Sequence, residues 1–354
     1  MDPDKSVQDN GCREWTVAVD KNAIGSIILA LNNPTHSSMS RTIAVIGATG
    51  AQGGGLVRAI LADKGSDFKA RAVTRNADSD KAKALANLGA EVVAADLDDV
   101  DSLTRAFEGA YGAFCVTNFW EHFSPEKELQ QARNLAEAAR RAGLKHVVWS
   151  TLEDTRDFYD MNDQRVPTLQ GKYKVPHFDA KGESDKFFRE SGVPTTFMRA
   201  SFYWENFIHF GQGPQRGTDG RLRLTIPMAD KSMGGIAAED IGRCVYGMFK
   251  LGPDKVGGQV IGLAGEALTG DQYARGFAEA IGEPVEYAPV TTEVYRGFGF
   301  PGADDMGNMY QYYQDNETAL NETRDVARSR ELNPQLQNFT AWVKANASQL
   351  KVTG

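Results

Sequence analysis

Gly47, Gly50 and Gly53 stand three residues apart, directly behind the apolar run 43–46 and ahead of a helix-forming run at 56–62. That spacing suits the binding of a pyrophosphate. Gly47 lets the chain leave a strand in a tight turn, and Gly50, with no Cβ, admits a phosphate to the backbone. Gly53 lets a helix pack close to the strand. The helix N-terminus adds unpaired N–H groups and a partial positive charge. With Thr49, Ala51 and Gln52 between the glycines, the G-x-x-G-x-x-G loop predicts a dinucleotide site. A flexible Gly-rich loop, the plainer alternative, does not account for the strand in front.

The end of the second strand chooses the dinucleotide. A carboxylate there would hold ribose hydroxyls, whereas an arginine accommodates a 2′-phosphate. Residues 74–76 read Thr-Arg-Asn, and no carboxylate follows before Asp78. Arg75 is planar, always charged and able to fork onto phosphate oxygens, so NADP(H) is the expected cofactor. A solvated loop arginine is the alternative. Asp96 and Leu97, ending the third strand, suit the adenine. Thr117, Asn118 and Phe119, ending the fourth, fall where ribose and nicotinamide lie.

The elements that must position these residues alternate. Strands are expected at 43–46, 68–74, 91–97, 112–117, 145–151 and 195–199, and helices at 56–62, 79–88, 100–108, 125–142 and 181–191. Repeated strand–helix units imply an α/β fold, a Rossmann-type doubly wound parallel sheet with its ligand at the carboxyl ends of the strands. Beyond residue 200 the pattern loosens. Strands at 221–227, 258–263 and 284–290 and helices at 238–250, 270–281 and 338–350 predict a smaller C-terminal α+β lobe. The expected division is therefore an NADP(H)-binding domain at 39–200 and a substrate or cover lobe at 201–354, parts of which return to the main sheet. Residues 1–38 read as a poorly ordered extension or a start-site artefact, because Met39 stands directly before the first strand.

A formal charge of −8 over 354 residues argues against direct nucleic-acid binding, which wants a basic face. The three cysteines have no metal-ligand spacing, so no metal is expected, and reduced thiols fit a cytoplasmic or nuclear protein. Cys115, in an apolar run, reads as core packing, with a redox role as the alternative. No apolar run approaches the roughly 20 residues a membrane helix needs. The expected partners are a hydrophobic small molecule or a regulatory protein, for a monomer or homodimer.

Five motifs occur in order: Gly-Ala-Thr-Gly-Ala-Gln-Gly at 47–53, Val-Thr-Asn-Phe-Trp-Glu at 116–121, His-Phe-Asp-Ala-Lys-Gly-Glu at 177–183, Tyr-Trp-Glu-Asn at 203–206 and Gly-Phe-Pro-Gly-Ala at 299–303. Together they resemble the NmrA-like family, atypical short-chain dehydrogenase/reductase relatives that include fungal nitrogen-repression regulators and a human NADPH sensor. The resemblance runs from about residue 41 to 350. It implies a Rossmann fold with NADP(H) preference, a phosphate loop at Gly47 to Gly53 and a 2′-phosphate contact at Arg75. It also implies cofactor contacts at Thr117, Asn118, Lys181, Tyr203, Glu205 and Asn206.

Active short-chain dehydrogenases use Tyr-x-x-x-Lys, in which the lysine lowers the tyrosine pKa and holds the nicotinamide ribose. Here the spacing is His177-x-x-x-Lys181, and Ser150 matches the family's substrate-orienting hydroxyl. Two readings stay open. His177 can relay a proton, as imidazoles do near neutral pH; or the tyrosine is lost and the cofactor site kept as a sensor. Tyr173 has the wrong spacing, although a loop can bring it or another tyrosine into place.

Trp120, Phe123, Phe202, Trp204 and Phe300, with Asp154 among them, predict an apolar pocket for a hydrophobic or cationic, alkaloid-like ligand. Packing between lobes is the plainer alternative. Two function classes follow. One is NADP(H)-dependent reduction of a carbonyl or imine, or non-redox acid–base chemistry on the same scaffold. The other is a non-catalytic NADP(H) redox sensor acting on a protein such as a transcription factor. Histidine in the tyrosine's place weighs against ordinary carbonyl reduction, whereas a protonated imine accepts hydride without an oxyanion acid.

Overall fold

Along β1 (Arg41–Ile46), Ile43 and Val45 face one side of a sheet and Ala44 and Ile46 the other, all four buried, in a computed structural model that describes residues 40–350 and Val352. The extension assigned to 1–38, and Cys12 with it, lies outside the described residues. Next come α1 (Ala51–Ala62), β2 (Phe68–Thr74), α2 (Asp80–Asn87), β3 (Glu91–Ala94), α3 (Val100–Phe107) and β4 (Gly112–Cys115). They are followed by α4 (Pro125–Arg141), β5 (His146–Thr151), α5 (Pro176–Glu190) and β6 (Thr195–Ala200). The lobe beyond carries β7 (Phe202–Tyr203), α6 (Asn206–His209), β8 (Gln215–Arg216), β9 (Leu222–Leu224), β10 (Ser232–Ile236) and α7 (Ala238–Leu251). Its later strands are β11 (Val260–Leu263), β12 (Glu266–Thr269) and β13 (Val285–Tyr287).

Seven parallel strands form the central sheet in the order β11-β6-β5-β4-β1-β2-β3. The order reverses between β1 and β4, the crevice where Rossmann-like sheets take their ligands. One face buries Leu56, Val57 and Ile60 of α1 against Ile241, Val245 and Met248 of α7. The other buries Leu103 of α3, Leu135 of α4 and Phe188 of α5. Two small sheets, β12-β10-β7 and β13-β9-β8, join helices in the C-terminal lobe around a core of Trp204, Phe207, Tyr273, Phe277, Phe339 and Trp342. β11 crosses back from that part of the chain to the edge of the main sheet, beside β6. Among the described residues no helix is long and apolar enough to cross a membrane.

Two helix starts differ from the sequence expectation. α1 begins at Ala51, not near Leu56, although its first turns hold three glycines in a row, which helix propensity disfavours. Close packing overrides that cost. A Cβ on Gly55 would come 2.9 Å from the Glu239 carbonyl oxygen, and one on Gly242 would overlap the backbone of Leu56, so α1 and α7 touch nearly backbone to backbone. α5 begins at Pro176, not at Lys181, because proline in the first turn has no N–H to lose. The Asp179 carboxylate accepts the free N–H groups of Lys174 (2.7 Å) and Val175 (3.2 Å) ahead of it. β3 and β4 stop at Ala94 and Cys115, earlier than expected, which leaves Asp96, Leu97 and Thr117 in the loops at the strand ends.

Two buried groups, one on each face of the sheet, give a pH signature. Burial pushes the Asp185 carboxyl, which accepts from the Trp149 indole at 3.0 Å, up to about 6. The folded protein then holds a proton that the unfolded chain releases near 3.8, so this contribution to stability falls as pH rises from about 4 to about 6. Burial lowers His146 to about 4, and its contribution rises between pH 4 and 6.5. The two oppose each other in the wild type. Asp185→Asn keeps an acceptor for Trp149 and removes the falling part. Against wild type it is expected to gain up to about 3 kcal/mol between pH 4 and 6. Urea midpoints at both pH values check this, and a difference that does not change with pH contradicts it.

Candidate active site

The glycine loop leaves β1 through Gly47, whose φ of 63° is the left-handed conformation glycine adopts freely. The Gly50 N–H closes the turn onto the Gly47 carbonyl at 2.8 Å. No side chain caps α1 and no acidic residue occupies its first turn, so the first N–H groups and the helix dipole face an anion without competition. A Cβ on Gly53 would lie 2.7 Å from the Gly47 carbonyl carbon and 2.9 Å from the Ile46 carbonyl oxygen. Gly47, Gly50 and Ala51 are exposed, and Thr49 and Gln52 half-buried. An uncapped, acid-free helix start behind a loop that tolerates no side chain at Gly53 fits a dinucleotide pyrophosphate.

Side chains from two other segments close on this loop through Gln52, and a third group gathers around Lys181. The Ser150 hydroxyl, near the end of β5, donates to Gln52 Oε1 at 2.9 Å, and the Gln52 amide donates to the Tyr203 hydroxyl. Burial pushes the Tyr203 phenol up, so it stays protonated. Thr151 donates to the Lys181 carbonyl at 3.2 Å, which ties the end of β5 to α5. The Lys181 ammonium donates to the Thr117 carbonyl (3.1 Å) and hydroxyl (2.8 Å) and pairs with Glu128 Oε1 at 2.8 Å. Thr117 donates to the same carboxylate oxygen at 2.6 Å. Glu128, on α4, is fully buried, and His122 Nε2 stands 3.6 Å from its other oxygen. Lys181 is therefore a charge-compensated cation, and its pull on a neighbouring proton is weaker than that of a lone lysine.

His177 lies one turn before Lys181 on α5. Its Nδ1 meets Asp305 Oδ1 at 2.6 Å, and its backbone N–H donates to Asp305 Oδ2 at 3.2 Å. The ring packs 4.7 Å from Trp120 and 4.8 Å, edge-on, from Phe178. A carboxylate on Nδ1 holds the imidazole in one orientation and leaves Nε2 as the nitrogen that can exchange a proton.

The remaining expected residues divide. Arg75, beyond β2, is exposed and donates to Glu121. Asp96 is exposed and its backbone is held by Ser102 at 3.0 Å, while the Leu97 carbonyl accepts from Asn134 at 2.8 Å. Asn118 is exposed and Phe119 buried. Trp120, Phe123 and Phe300 are partly exposed, whereas Phe202 and Trp204 pack into the lobe core. Trp204 has no exposed surface to offer a ligand. The Asp154 carboxylate is taken by Arg156 at 2.6 and 2.8 Å. Glu205 accepts the N–H of Ala238 at 2.9 Å, at the first residue of α7, and the Trp342 indole at 3.2 Å. That is a helix-capping role. Asn206 opens α6, and Tyr173 is buried with its hydroxyl on Glu126 at 3.3 Å, away from Lys181.

Sequence reasoning missed Glu128 and Asp305. A signal existed for the first: Glu128 lies four and seven residues before Ala132 and Leu135, a carboxylate on an otherwise apolar helix face. For Asp305, 128 residues from His177, none did.

Comparison with known proteins bears on the fold and the family. The NmrA-like oxidoreductase lnbB of Aspergillus flavus is 29% identical over 297 residues, covering 79% of this chain and 85% of that protein. The crystal structure of NmrA, a negative transcriptional regulator, in complex with NADP superposes with a TM-score of 0.70 at 23% identity over 86% of this chain and 95% of the other. Triphenylmethane reductase of Citrobacter, solved with NADP(H), gives 0.68 at 21% over 86% and 99%. At those identities the two solved structures speak to the fold. The model of the NmrA-like family matches residues 39–343, and the chain belongs to that family.

Proposed function

We propose that this chain is an NADP(H)-dependent oxidoreductase of the atypical short-chain type, acting on a carbonyl or imine of a hydrophobic, alkaloid-like small molecule. The observation that carries the proposal is convergence: Ser150 is bonded to the glycine loop through Gln52, and its neighbour Thr151 to the backbone of Lys181. Neighbours crystallised with NADP and NADP(H), and a relative named as an oxidoreductase, support cofactor and reaction class. In this reading the loop 47–53 holds the pyrophosphate, Arg75 the 2′-phosphate, Asp96 and Leu97 the adenine end, and Thr117, Asn118, Phe119 and Lys181 the ribose–nicotinamide end. When bound, the dinucleotide donates or accepts a hydride. Ser150 orients the polar atom of the substrate, Trp120, Phe123 and Phe300 supply apolar surface, and Nε2 of His177 exchanges a proton. An imine is the better substrate class, because once protonated it needs no phenol at position 177.

NADPH consumption with a panel of hydrophobic ketones and cyclic imines tests this. The expected result is turnover with at least one imine, reduced about 100-fold in Lys181→Met through loss of positioning. Product formed without NADPH loss would instead mean acid–base chemistry around a structural cofactor.

The enclosure of His177, only 6% exposed, favours a second reading: a non-catalytic NADP(H) redox sensor regulating a protein partner such as a transcription factor. A partner recovered equally with NADP⁺ and NADPH would count against it.

A further inference from the structure

Glu121 is the last residue of the short 3-10 turn Phe119–Glu121 that follows β4, and its carboxylate accepts from one terminal nitrogen of Arg75. Among the described residues no other hydrogen-bond acceptor meets that guanidinium, while the charges of Asp96 and Asp98 also act on it. Asp98 is itself held by Lys127 at 2.9 Å and Gln131 at 3.0 Å, and Asp96 Oδ1 accepts the Asp98 N–H at 3.0 Å. Glu121 is thus the one carboxylate of the three that is bonded to Arg75.

The same turn is pinned at its inner side. Trp120 packs on His177, and a Cβ on Gly302 would come 2.8 Å from its ring. Phe123, just beyond, has a φ of 54°, a left-handed backbone that a bulky residue adopts only when its surroundings impose it. Glu121 therefore reaches Arg75 from a turn whose backbone position is set by packing, while the two charged side chains themselves are exposed.

We propose that Glu121 is a specificity-determining residue: an internal anion that occupies Arg75 in the dinucleotide-free protein and that a 2′-phosphate must displace. The inference rests on the NADP(H) reading above. A phosphate forks onto an arginine better than a single carboxylate contact does, so it wins. Part of its binding free energy is spent on the exchange, and the remaining carboxylate repels it. Both effects act on NADP⁺ and not on NAD⁺, so Glu121 narrows the preference between them.

Calorimetric titration of NADP⁺ and NAD⁺ into the wild-type protein and Glu121→Gln tests this. Both partners are exposed, so the variant should fold as wild type does. Expected is an NADP⁺ affinity at least about threefold higher in the variant, with NAD⁺ changed less than about twofold, the scale of a solvent-exposed ion pair. Unchanged or weaker NADP⁺ binding would overturn the proposal and make Glu121 a support for Arg75. An equal gain for NAD⁺ would overturn it too. Wild-type protein that binds neither dinucleotide would instead bring down the underlying reading, a distinct result.

Discussion

Glu128→Ala is expected to destabilise the protein by about 3 kcal/mol, because it removes one partner of a buried ion pair and leaves the other charge uncompensated. The Lys181 side chain is only 12% exposed, and with Glu128 gone its ammonium keeps the two oxygens of Thr117 and the face of the Trp149 ring at 5.5 Å, with no carboxylate bonded to it among the described residues. Thr117 loses its 2.6 Å acceptor at the same time, and His122 the carboxylate it faces. For a chain of this size each kcal/mol shifts the unfolding midpoint by roughly 2 °C, so a fall of about 6 °C is expected. Glu128→Gln keeps the volume and one acceptor, so it should lose less. A midpoint within about 1 °C of wild type for the alanine variant would mean that the network contributes nothing to stability.

Gly53→Ala is expected to lose dinucleotide affinity by about 100-fold or more, as a displaced phosphate cradle misaligns several contacts at once. The cause is steric and local. The added methyl would overlap the Gly47 carbonyl and crowd that of Ile46, both backbone groups at the end of a central strand. Neither can rotate away as a flexible side chain would, so the loop or the start of α1 must shift. Overpacking of this kind costs about 1–3 kcal/mol of stability, and circular dichroism would show the variant folded at room temperature. Calorimetric titration with NADPH reads the loss; retention of wild-type affinity would show that the close approach at Gly53 is not needed.

Much of this was legible in the sequence, and the reason is local periodicity. The strand before Gly47, the three glycines and the alternating units each follow from spacings within about 15 residues. Lys181 and His177 were legible as a pair, because four residues on a helix is one turn. What the spacing could not reveal was contact over long separations. Asp305 reaches His177 from the helix Ala303–Asp315, and Tyr203 reaches Gln52 across 151 residues. The same limit explains Trp204 and Glu205. Their motif suggested a pocket and a cofactor contact, whereas tertiary packing makes one a core residue and the other the cap of α7. The short strands β10 and β12 went unread because Ser-Met-Gly-Gly-Ile and Glu-Ala-Leu-Thr carry little strand propensity and exist through pairing with each other.

In the proposed function, NADP(H) lies between the glycine loop and Lys181. Titrating NADPH and NADH into the wild-type protein by calorimetry tests it most directly. Expected is saturable, one-to-one binding of NADPH, several-fold tighter than NADH because Arg75 favours the 2′-phosphate even with Glu121 beside it. No heat of binding from either dinucleotide would contradict it.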